Sequence, residues 1–193
     1  MAQNYQGIQD RSAVSYRVFS GIGSTCRTDI VTAASLWNSV GADITFTNSG
    51  TSSTRVGRTK SSTTYVEPGP LIPEVPANAA AFTDIDYSSS SGAKYDYDRG
   101  LWRFRNFNVI INETMLADGS FYCGPISKVG QGAIPNGKQY LLDVASHEFG
   151  HGLGLDHDNA VYPTMMYAPA FSSYAKRYLS ERDKTGARNV TSW

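Results

Sequence analysis

Apolar and polar residues alternate with two different periods in the first fifty positions, which predicts a strand, a helix and a second strand. Residues 14–20 alternate with the period of two that a half-buried strand requires, and residues 43–48 repeat this pattern. Between them, residues 26–40 carry apolar side chains at helical spacing, and a glycine follows. Because two strands joined by a helix normally lie parallel in one sheet, we expect these two strands to pair in parallel.

The rest of the chain alternates between apolar runs and long polar segments. Hydroxyl-rich and proline-rich sequence predicts mostly surface loop at 49–78, and frequent glycines predict loop at 113–138. The expected elements are strands at 79–87 and 104–112, a helix from Gln139, and a last helix over 173–190, where Ser180 and Asp183 have the spacing of a capping box. Together these elements predict an α/β protein.

The composition excludes several classes of partner. Lys and Arg together number 17, as do Asp and Glu, so the formal net charge is zero, and we expect neither nucleic acid nor a membrane surface to bind. No apolar run approaches the roughly 18 residues of a membrane-spanning helix. At 193 residues the chain has the length of one domain.

The chain contains two cysteines, Cys26 and Cys123. A disulfide between them would close a loop of about 97 residues and contribute about 4 to 5 kcal/mol in the chain-entropy model. Two buried free thiols are the alternative. The charged fraction is only 18%, and hydroxyl and amide side chains are abundant, which favours a secreted protein and therefore the disulfide.

All three histidines of the chain lie within residues 147–157, HEFGHGLGLDH. On a helix, His147 and His151 are one turn apart, so their imidazoles project from the same face and can share one metal ion. Glu148 is rotated about 100° around the helix from His147. It therefore lies beside the ion, where it can act on water instead of binding the metal. This spacing predicts a zinc site with an adjacent carboxylate base.

Gly154 follows His151 by three residues. Glycine adopts the left-handed conformation at little cost, so the chain can leave the helix sharply there and bring His157 to the same ion. Three imidazoles leave a fourth position for water, which is typical of a catalytic and not of a structural zinc site. We therefore expect one catalytic Zn²⁺ with the ligands His147, His151 and His157.

The pattern HExxHxxGxxH over residues 147–157 resembles the signature of the metzincin zinc endopeptidases. Within that clan the chain is most similar to the matrixins. Residues 163–169, PTMMYAP, resemble the methionine-containing turn of that family, and residues 178–186, YLSERDKTG, resemble the start of its C-terminal helix. The segment FNVIIN at 107–112 resembles its last strand before the active-site helix.

The resemblance implies the fold of a metzincin catalytic domain. That fold has a twisted, mostly parallel five-stranded sheet with about three helices, one of which carries HExxH. A single domain would span residues 1–193, with an upper lobe over about 1–154 and a lower lobe over about 155–193.

The resemblance leaves two methionines as candidates for the turn beneath the zinc. Met166 followed by Tyr167 fits the matrixin pattern. Met165 with Tyr167 two residues later fits the astacin and serralysin pattern, in which that tyrosine binds zinc or stabilises the oxyanion. In either case the thioether would support the ligands without coordinating the ion.

The implied activity is hydrolysis of peptide bonds in extended protein substrates by a zinc-bound water. Glu148 would activate this water, taking its proton and passing it to the leaving amine. An edge strand, Ala79 to Ile85, would pair with the substrate, and a pocket near Asn159 to Phe171 would select its side chain. We expect a secreted monomer whose partner is a protein or peptide. Two alternatives stay open: a zinc-containing module that binds peptide without turnover, and a zinc hydrolase of another acyl substrate.

The chain departs from the vertebrate matrixins in its number of histidines. No histidine remains to hold their second, structural zinc, so we expect that site to be missing. Ca²⁺ bound by Asp84, Asp86, Asp96 and Asp98 could replace it, although solvated loop carboxylates are the simpler interpretation.

Overall fold

The structure, a computed structural model, describes residues 7–55, 63–76, 78–125, 135, 137–159, 164–167 and 179–191. Within these residues the strands are β1 (Ile8–Gln9), β2 (Ala13–Phe19), β3 (Thr45–Ser52), β4 (Thr64–Gly69), β5 (Ala81–Ile85), β6 (Lys94–Asp96), β7 (Leu101–Phe104), β8 (Phe107–Asn112), β9 (Phe121–Tyr122) and β10 (Gln139–Tyr140). The helices are α1 (Ser24–Asn38), α2 (Glu113–Ala117), α3 (Leu141–Leu153) and α4 (Glu181–Thr191), and a short 3-10 helix covers Ser89–Ser91.

Five strands form the central sheet, in the order β3-β2-β4-β8-β5. The first four are parallel, and β5 pairs antiparallel with β8 at the edge. The predicted crossover through α1 is confirmed, because β2 and β3 pair in parallel. The α/β class and the mostly parallel five-stranded sheet are therefore confirmed, with four α-helices in the described residues where about three were expected.

The prediction of mostly loop over residues 49–78 is wrong at β4. This strand lies at the centre of the sheet, between β2 and β8. Its sequence, TYVEPG, contains a glutamate and a proline, which are both uncommon in central strands. Pro68 lies one residue before the end of the strand, and Glu67 is only 1% exposed. β3 also continues to Ser52, past the predicted end at residue 48.

Two other segments differ from prediction in the middle of the chain. The strand expected at 104–112 is divided, since β7 ends at Phe104 and β8 begins at Phe107. The loop expected at 113–138 contains β9 and the short helix α2. The Asn112 side chain accepts hydrogen bonds from two N–H groups in the first turn of α2 and so begins this helix.

The last two predicted helices are present with different starting points. The helix α3, which carries His147 and His151, begins at residue 141, because residues 139–140 pair with β9 as β10. Of the predicted C-terminal helix, residues 173–178 lie outside the described residues, and α4 covers most of the remainder. The predicted capping box is confirmed: the Ser180 hydroxyl donates to the Asp183 carboxylate, and the Asp183 N–H donates back to the Ser180 oxygen.

In the core, α1 and α3 pack against each other, and both contact the central sheet, α1 at β3 and α3 at β5 and β8. Phe149 on α3 is fully buried, and its ring lies 5.3 Å from that of Tyr16, 5.0 Å from that of Phe46 and 6.5 Å from that of Phe107. Burying a side chain of this size stabilises the fold by about 1.5–3 kcal/mol. Because Phe149 points into this aromatic cluster, the rotation of α3 about its own axis is set, and with it the direction of the histidines.

The predicted disulfide between Cys26 and Cys123 is confirmed. It joins the first turn of α1 to the residue that follows β9. The loop that it closes contains β3 to β8, which include four of the five strands of the central sheet. None of the described helices is long and apolar enough to cross a membrane.

Candidate metal centre and catalytic cleft

The helix α3 carries two of the three histidines and is buried along its whole length. Its backbone is anchored by Trp37 of α1, whose indole N–H donates to the Ser146 carbonyl at 2.7 Å. Ser146 immediately precedes His147, so this bond fixes the helix at the first ligand. A buried indole needs such an acceptor, and here it contributes to the geometry of the site.

Two glycines within α3 permit unusually close packing. A Cβ at Gly150 would lie 2.3 Å from the Met166 sulfur and 2.8 Å from the Trp37 ring. A Cβ at Gly152 would lie 2.4 Å from the Phe107 ring. Glycine costs about 1 kcal/mol relative to alanine in a helix interior. Here glycine lets the helix approach its neighbours without overlap. This close packing explains why glycines occur inside the helix although they interrupt its helical sequence pattern.

The helix ends at Gly154, which has φ +106° and is the left-handed C-cap. A Cβ there would also lie 2.2 Å from the carbonyl oxygen of Gly7. Both observations require glycine, since other residues avoid this conformation and the clash involves backbone. The sharp turn returns the chain towards α3 and brings His157 beside the other two histidines.

The three imidazoles converge through their Nε2 atoms. His147 Nε2 lies 3.1 Å from His151 Nε2 and 3.1 Å from His157 Nε2. His147 Nδ1 lies 2.7 Å from the Met165 carbonyl oxygen, and His151 Nδ1 lies 2.7 Å from the Leu155 carbonyl oxygen. Because a carbonyl can only accept, both Nδ1 atoms carry the proton, and both Nε2 atoms offer a lone pair.

This group of side chains fits a zinc ion. Burial, assisted by the charge of His157, lowers the pKa of His151 to about 4, so its ring is neutral and able to bind a metal at neutral pH. Nitrogen ligands on a tetrahedral zinc at about 2.1 Å are roughly 3.4 Å apart, close to the Nε2 separations. Imidazole lone pairs directed at one point repel one another unless a cation lies between them, so the donor set suits a metal.

The turn at residues 164–167 is held from below by Asp183 of α4. The Asp183 carboxylate accepts from the backbone N–H of Met165 and of Met166, each at 3.3 Å, and from the N–H and hydroxyl of Ser180, each at 2.8 Å. Burial raises the pKa of the Asp183 carboxyl, and these four hydrogen bonds oppose that shift. Since Met165 supplies the acceptor for His147, Asp183 orients a ligand through this turn.

The loop that carries His157 is bound to the same turn. The backbone N–H of Asp158 donates to the Met166 carbonyl oxygen at 2.7 Å. The Asp158 carboxylate accepts from Arg182 Nε at 2.6 Å, which ties the loop to α4 as well. The turn and α4 therefore position both the first and the third histidine.

The two methionines of the turn have different contacts. The Met166 side chain lies against α3 at Gly150 and is fully buried. Met165 is also buried and contributes its backbone carbonyl to His147. Tyr167 follows and is half-buried. Of the segment Asn159 to Phe171, which was expected to form a specificity pocket, the structure describes residue 159 and residues 164–167.

The carboxylate of Glu148 lies at the junction of α3 and the edge strand β5. Thr83 Oγ1 is 2.7 Å from Glu148 Oε2 and 2.8 Å from the Glu148 backbone oxygen. Burial raises the pKa of Glu148 to about 7, against the lowering effect of the hydrogen bond from Thr83. The general-base candidate is therefore in direct contact with the middle of the edge strand.

Two contributions to the site were not found by sequence analysis. Thr83 was included only as part of the expected edge strand, and Asp183 only as a helix cap. Thr83 shares the strand with a second polar residue, Asp84, so its polarity alone was a weak signal. Nothing in the spacing relates residue 83 to residue 148, or residue 183 to the methionine turn, because both contacts arise from the tertiary fold.

The alternative of a calcium site is not supported, and the described residues agree with the simpler interpretation of loop carboxylates. Among the described residues, the three histidines are the one group of three or more side chains able to hold a metal ion. Asp84, Asp86, Asp96 and Asp98 do not form such a group. Asp96 instead accepts from Arg103 Nε at 3.0 Å, and Asp86 accepts from the Ser88 hydroxyl at 2.5 Å.

Comparison with known proteins agrees with this geometry. The profile of the matrixin peptidases (Peptidase_M10) matches residues 11–190, nearly the whole chain. No curated protein sequence matches the chain. Matrixins are zinc metallopeptidases, and the matched region includes the histidine cluster, the methionine turn and all but the last residue of α4. The chain therefore belongs to the matrixin family.

Proposed function

We propose that the protein is a zinc-dependent endopeptidase that hydrolyses peptide bonds in extended protein substrates. The observation that carries this proposal is the junction of three features at one place. The histidine cluster on α3 and the turn after it, the Glu148 carboxylate and the edge strand β5 meet there, and Thr83 links the strand to the carboxylate. A metal site without an adjacent base, or a base remote from a strand edge, would not have these features together.

In this proposal His147, His151 and His157 hold the zinc ion. When bound, the ion supplies a Lewis acid for the scissile carbonyl and makes water more acidic. Glu148 accepts a proton from the attacking water and then delivers a proton to the nitrogen of the leaving amine. Its pKa of about 7 suits both tasks, because each protonation state is accessible near neutral pH.

The substrate is proposed to bind as an additional strand on β5. Among the described residues, β5 is hydrogen-bonded to one neighbour only, β8, so its other edge offers backbone groups to an extended peptide. A chain bound there passes Thr83 and so comes close to Glu148. We further propose that the enzyme acts outside the cell, since its disulfide is suited to an oxidising environment.

The first test combines metal analysis with cleavage of unfolded casein. We expect about one zinc per chain, and activity that a chelator abolishes and added zinc restores. Zinc without cleavage would instead indicate a module that binds peptide without turnover. Assaying acyl esters in parallel would identify a hydrolase of another substrate class.

Glu148→Gln tests the role of the carboxylate. The amide cannot accept the proton, so we expect kcat to fall by about 10²- to 10⁴-fold. Zinc content should not change, because Glu148 lies outside the histidine group. Full activity of this variant with zinc bound would refute the proton-transfer role.

A further inference from the structure

The C-terminal end of α3 carries backbone carbonyls that the helix itself cannot pair. The last four carbonyl groups of an α-helix have no partner within the helix. The Gly150 carbonyl accepts from the Leu155 N–H at 3.1 Å, and the His151 carbonyl accepts from the Gly154 N–H at 2.8 Å. The turn after α3 therefore pairs these two groups by itself, whereas the next carbonyl, that of Gly152, needs a partner from another part of the fold.

The N-terminal segment supplies this partner. Gln9 Nε2 donates to the Gly152 carbonyl oxygen at 3.5 Å, and the Gly7 N–H donates to the Gly154 carbonyl oxygen, also at 3.5 Å. Both bonds are long, so each is individually weak. Together they bind two alternate residues of the stretch that joins the second histidine to the third. We call this stretch, residues 152–157, the ligand turn.

The N-terminal segment is fixed by contacts of its own. β1 pairs with β7, where Gln9 is the register partner of Phe104, and the Asp10 N–H donates to the Phe104 carbonyl at 2.7 Å. The Gln9 side chain is only 3% exposed, and the preceding residue, Ile8, is fully buried. The position of Gln9 is thus set by its strand pairing and by the core, so this side chain can support the ligand turn.

The ligand turn is the part of the metal centre that most needs such support. His147 and His151 lie on the body of α3. Phe149 and the hydrogen bond from Trp37 already fix that part of the helix. His157 lies beyond the helix and is exposed, whereas the other two histidines are buried. Its position therefore depends on how firmly the chain is held after α3 ends.

One atom of Gln9 is left without a hydrogen bond. A carbonyl oxygen only accepts, so the amide nitrogen of Gln9 must face Gly152, and its Oε1 atom points elsewhere. Oε1 is buried, and no group in the described part of the chain donates to it. A buried acceptor without a donor destabilises a fold by as much as a typical hydrogen bond stabilises it, or more. An apolar side chain of the same length would avoid this penalty, so Gln9 is poorly suited to a role in stability alone.

We propose that Gln9 is a positioning residue of the metal centre, which holds the ligand turn so that His157 reaches the zinc ion. Residues that break a local rule of stability are expected where function requires them, and the unpaired oxygen of Gln9 is such a case. The inference rests on the zinc site of the proposed function. It does not depend on the reaction, because a peptidase, a peptide-binding module and another zinc hydrolase all need a fixed third ligand.

Gln9→Met tests this role, because methionine keeps an unbranched side chain of similar length and removes both amide atoms. We expect zinc affinity, measured by competition with a chelator, to fall by about three- to tenfold. The urea midpoint of the metal-free protein should stay the same or rise, since the unpaired oxygen is lost. Metal-free protein is used because bound zinc would itself add stability. A fall in both quantities would indicate a purely structural contact and would overturn the proposal.

Gln139→Met is the matched control for this variant. Gln139 lies on β10, at the opposite end of α3, and its Oε1 atom is likewise buried without a donor among the described residues. It shares the unpaired atom with Gln9 but not the contact with the ligand turn. Zinc affinity of the control should equal that of the wild type. If both variants weakened zinc binding equally, the effect could not be assigned to the ligand turn.

A double-mutant cycle identifies the ligand through which Gln9 acts. His157→Ala leaves a site of two histidines, whose weaker zinc binding is measured by calorimetry. If Gln9 acts through the third ligand, Gln9→Met should make no further difference in this background. An undiminished effect of Gln9→Met there would contradict the assignment to His157.

The same measurements separate this inference from the proposed function. Zinc binding by the wild-type protein that does not respond to Gln9→Met would overturn the inference alone. Wild-type protein that binds zinc and cleaves no peptide would overturn the peptidase function, while the role of Gln9 would still be supported by a loss of affinity in Gln9→Met. Wild-type protein that binds no zinc would overturn both.

Discussion

The Thr83 hydroxyl has one proton to donate and two acceptors within reach, the Glu148 carboxylate at 2.7 Å and the Glu148 carbonyl at 2.8 Å. Donation to the ionised carboxylate lowers its pKa and opposes the effect of burial. The same bond limits the movement of a side chain that must reach both water and the leaving nitrogen. A residue of the proposed substrate-binding strand thereby positions the proposed base.

Thr83→Val should lower kcat by about tenfold, since the variant keeps the shape of the side chain but loses the bond, a loss of about 1–2 kcal/mol. Removing a bond to the ionised form raises the pKa of Glu148, so the acid limb of the kcat/KM profile should move to higher pH. The measurement is a pH–rate profile at equal zinc content. Thr83→Ser restores the hydroxyl and should restore the profile, whereas an unshifted acid limb in the valine variant would contradict this role.

Gly154 is constrained in two ways, by φ +106° and by the Gly7 carbonyl 2.2 Å from the position of a Cβ. Gly41 offers a matched control, because it has φ +73° with nothing within 4 Å of a Cβ. Gly41→Ala should cost about 1 kcal/mol from the left-handed conformation alone. Gly154→Ala should cost clearly more and should also weaken zinc binding by displacing His157. Urea unfolding and zinc titration measure both effects, and equal costs for the two variants would show that the close contact is unimportant.

At the scale of secondary-structure elements, the sequence predicted the helices and strands that are defined by a local, regular spacing of apolar residues. α1, β2, β8 and α3 carry apolar residues at a regular period, and the histidine ligands share one helix and the turn after it. β4 was missed because Glu67 and Pro68 interrupt its pattern and only its neighbours in the sheet bury it. The contact of Asp183 with the methionine turn was missed for a related reason, since it joins α4 to a separate segment.

Asp183→Asn tests how α4 supports the metal centre. The amide group replaces one carboxylate oxygen and faces N–H donors, so at least one hydrogen bond becomes a donor–donor contact. We expect the free energy of unfolding to fall by about 1–3 kcal/mol. We also expect zinc affinity to fall by about 10- to 100-fold, because the turn that orients His147 loosens.

Glu181→Gln is the matched control for this variant, since it makes the same chemical change on the same helix. Glu181 is exposed and binds Lys184. Thermal unfolding and competition with a chelator should leave this control close to the wild type. If both variants lost zinc equally, a general effect of α4 stability would explain the result without any role for the turn.

For the whole molecule, the disulfide is the covalent link between distant parts of the chain. It closes a loop of 97 residues that contains most of the central sheet, while the histidines, the methionine turn and α4 all lie outside that loop. In the chain-entropy model the crosslink acts mainly on the unfolded state, which it makes less disordered. Its loss should therefore reduce stability without altering the geometry of the metal centre.

Cys26→Ser/Cys123→Ser should lower the free energy of unfolding by about 4 to 5 kcal/mol, the value that the loop length gives in this model. The folded fraction should still bind one zinc per chain, and its kcat should remain close to that of the wild type, because no ligand or base lies within the loop. Urea unfolding gives the first quantity, and metal analysis with casein cleavage gives the second. Wild-type protein treated with a reductant should reproduce the loss of stability. Loss of zinc from the folded variant would instead mean that the crosslink positions α1, and through Trp37 the middle of α3 at Ser146, in the native state.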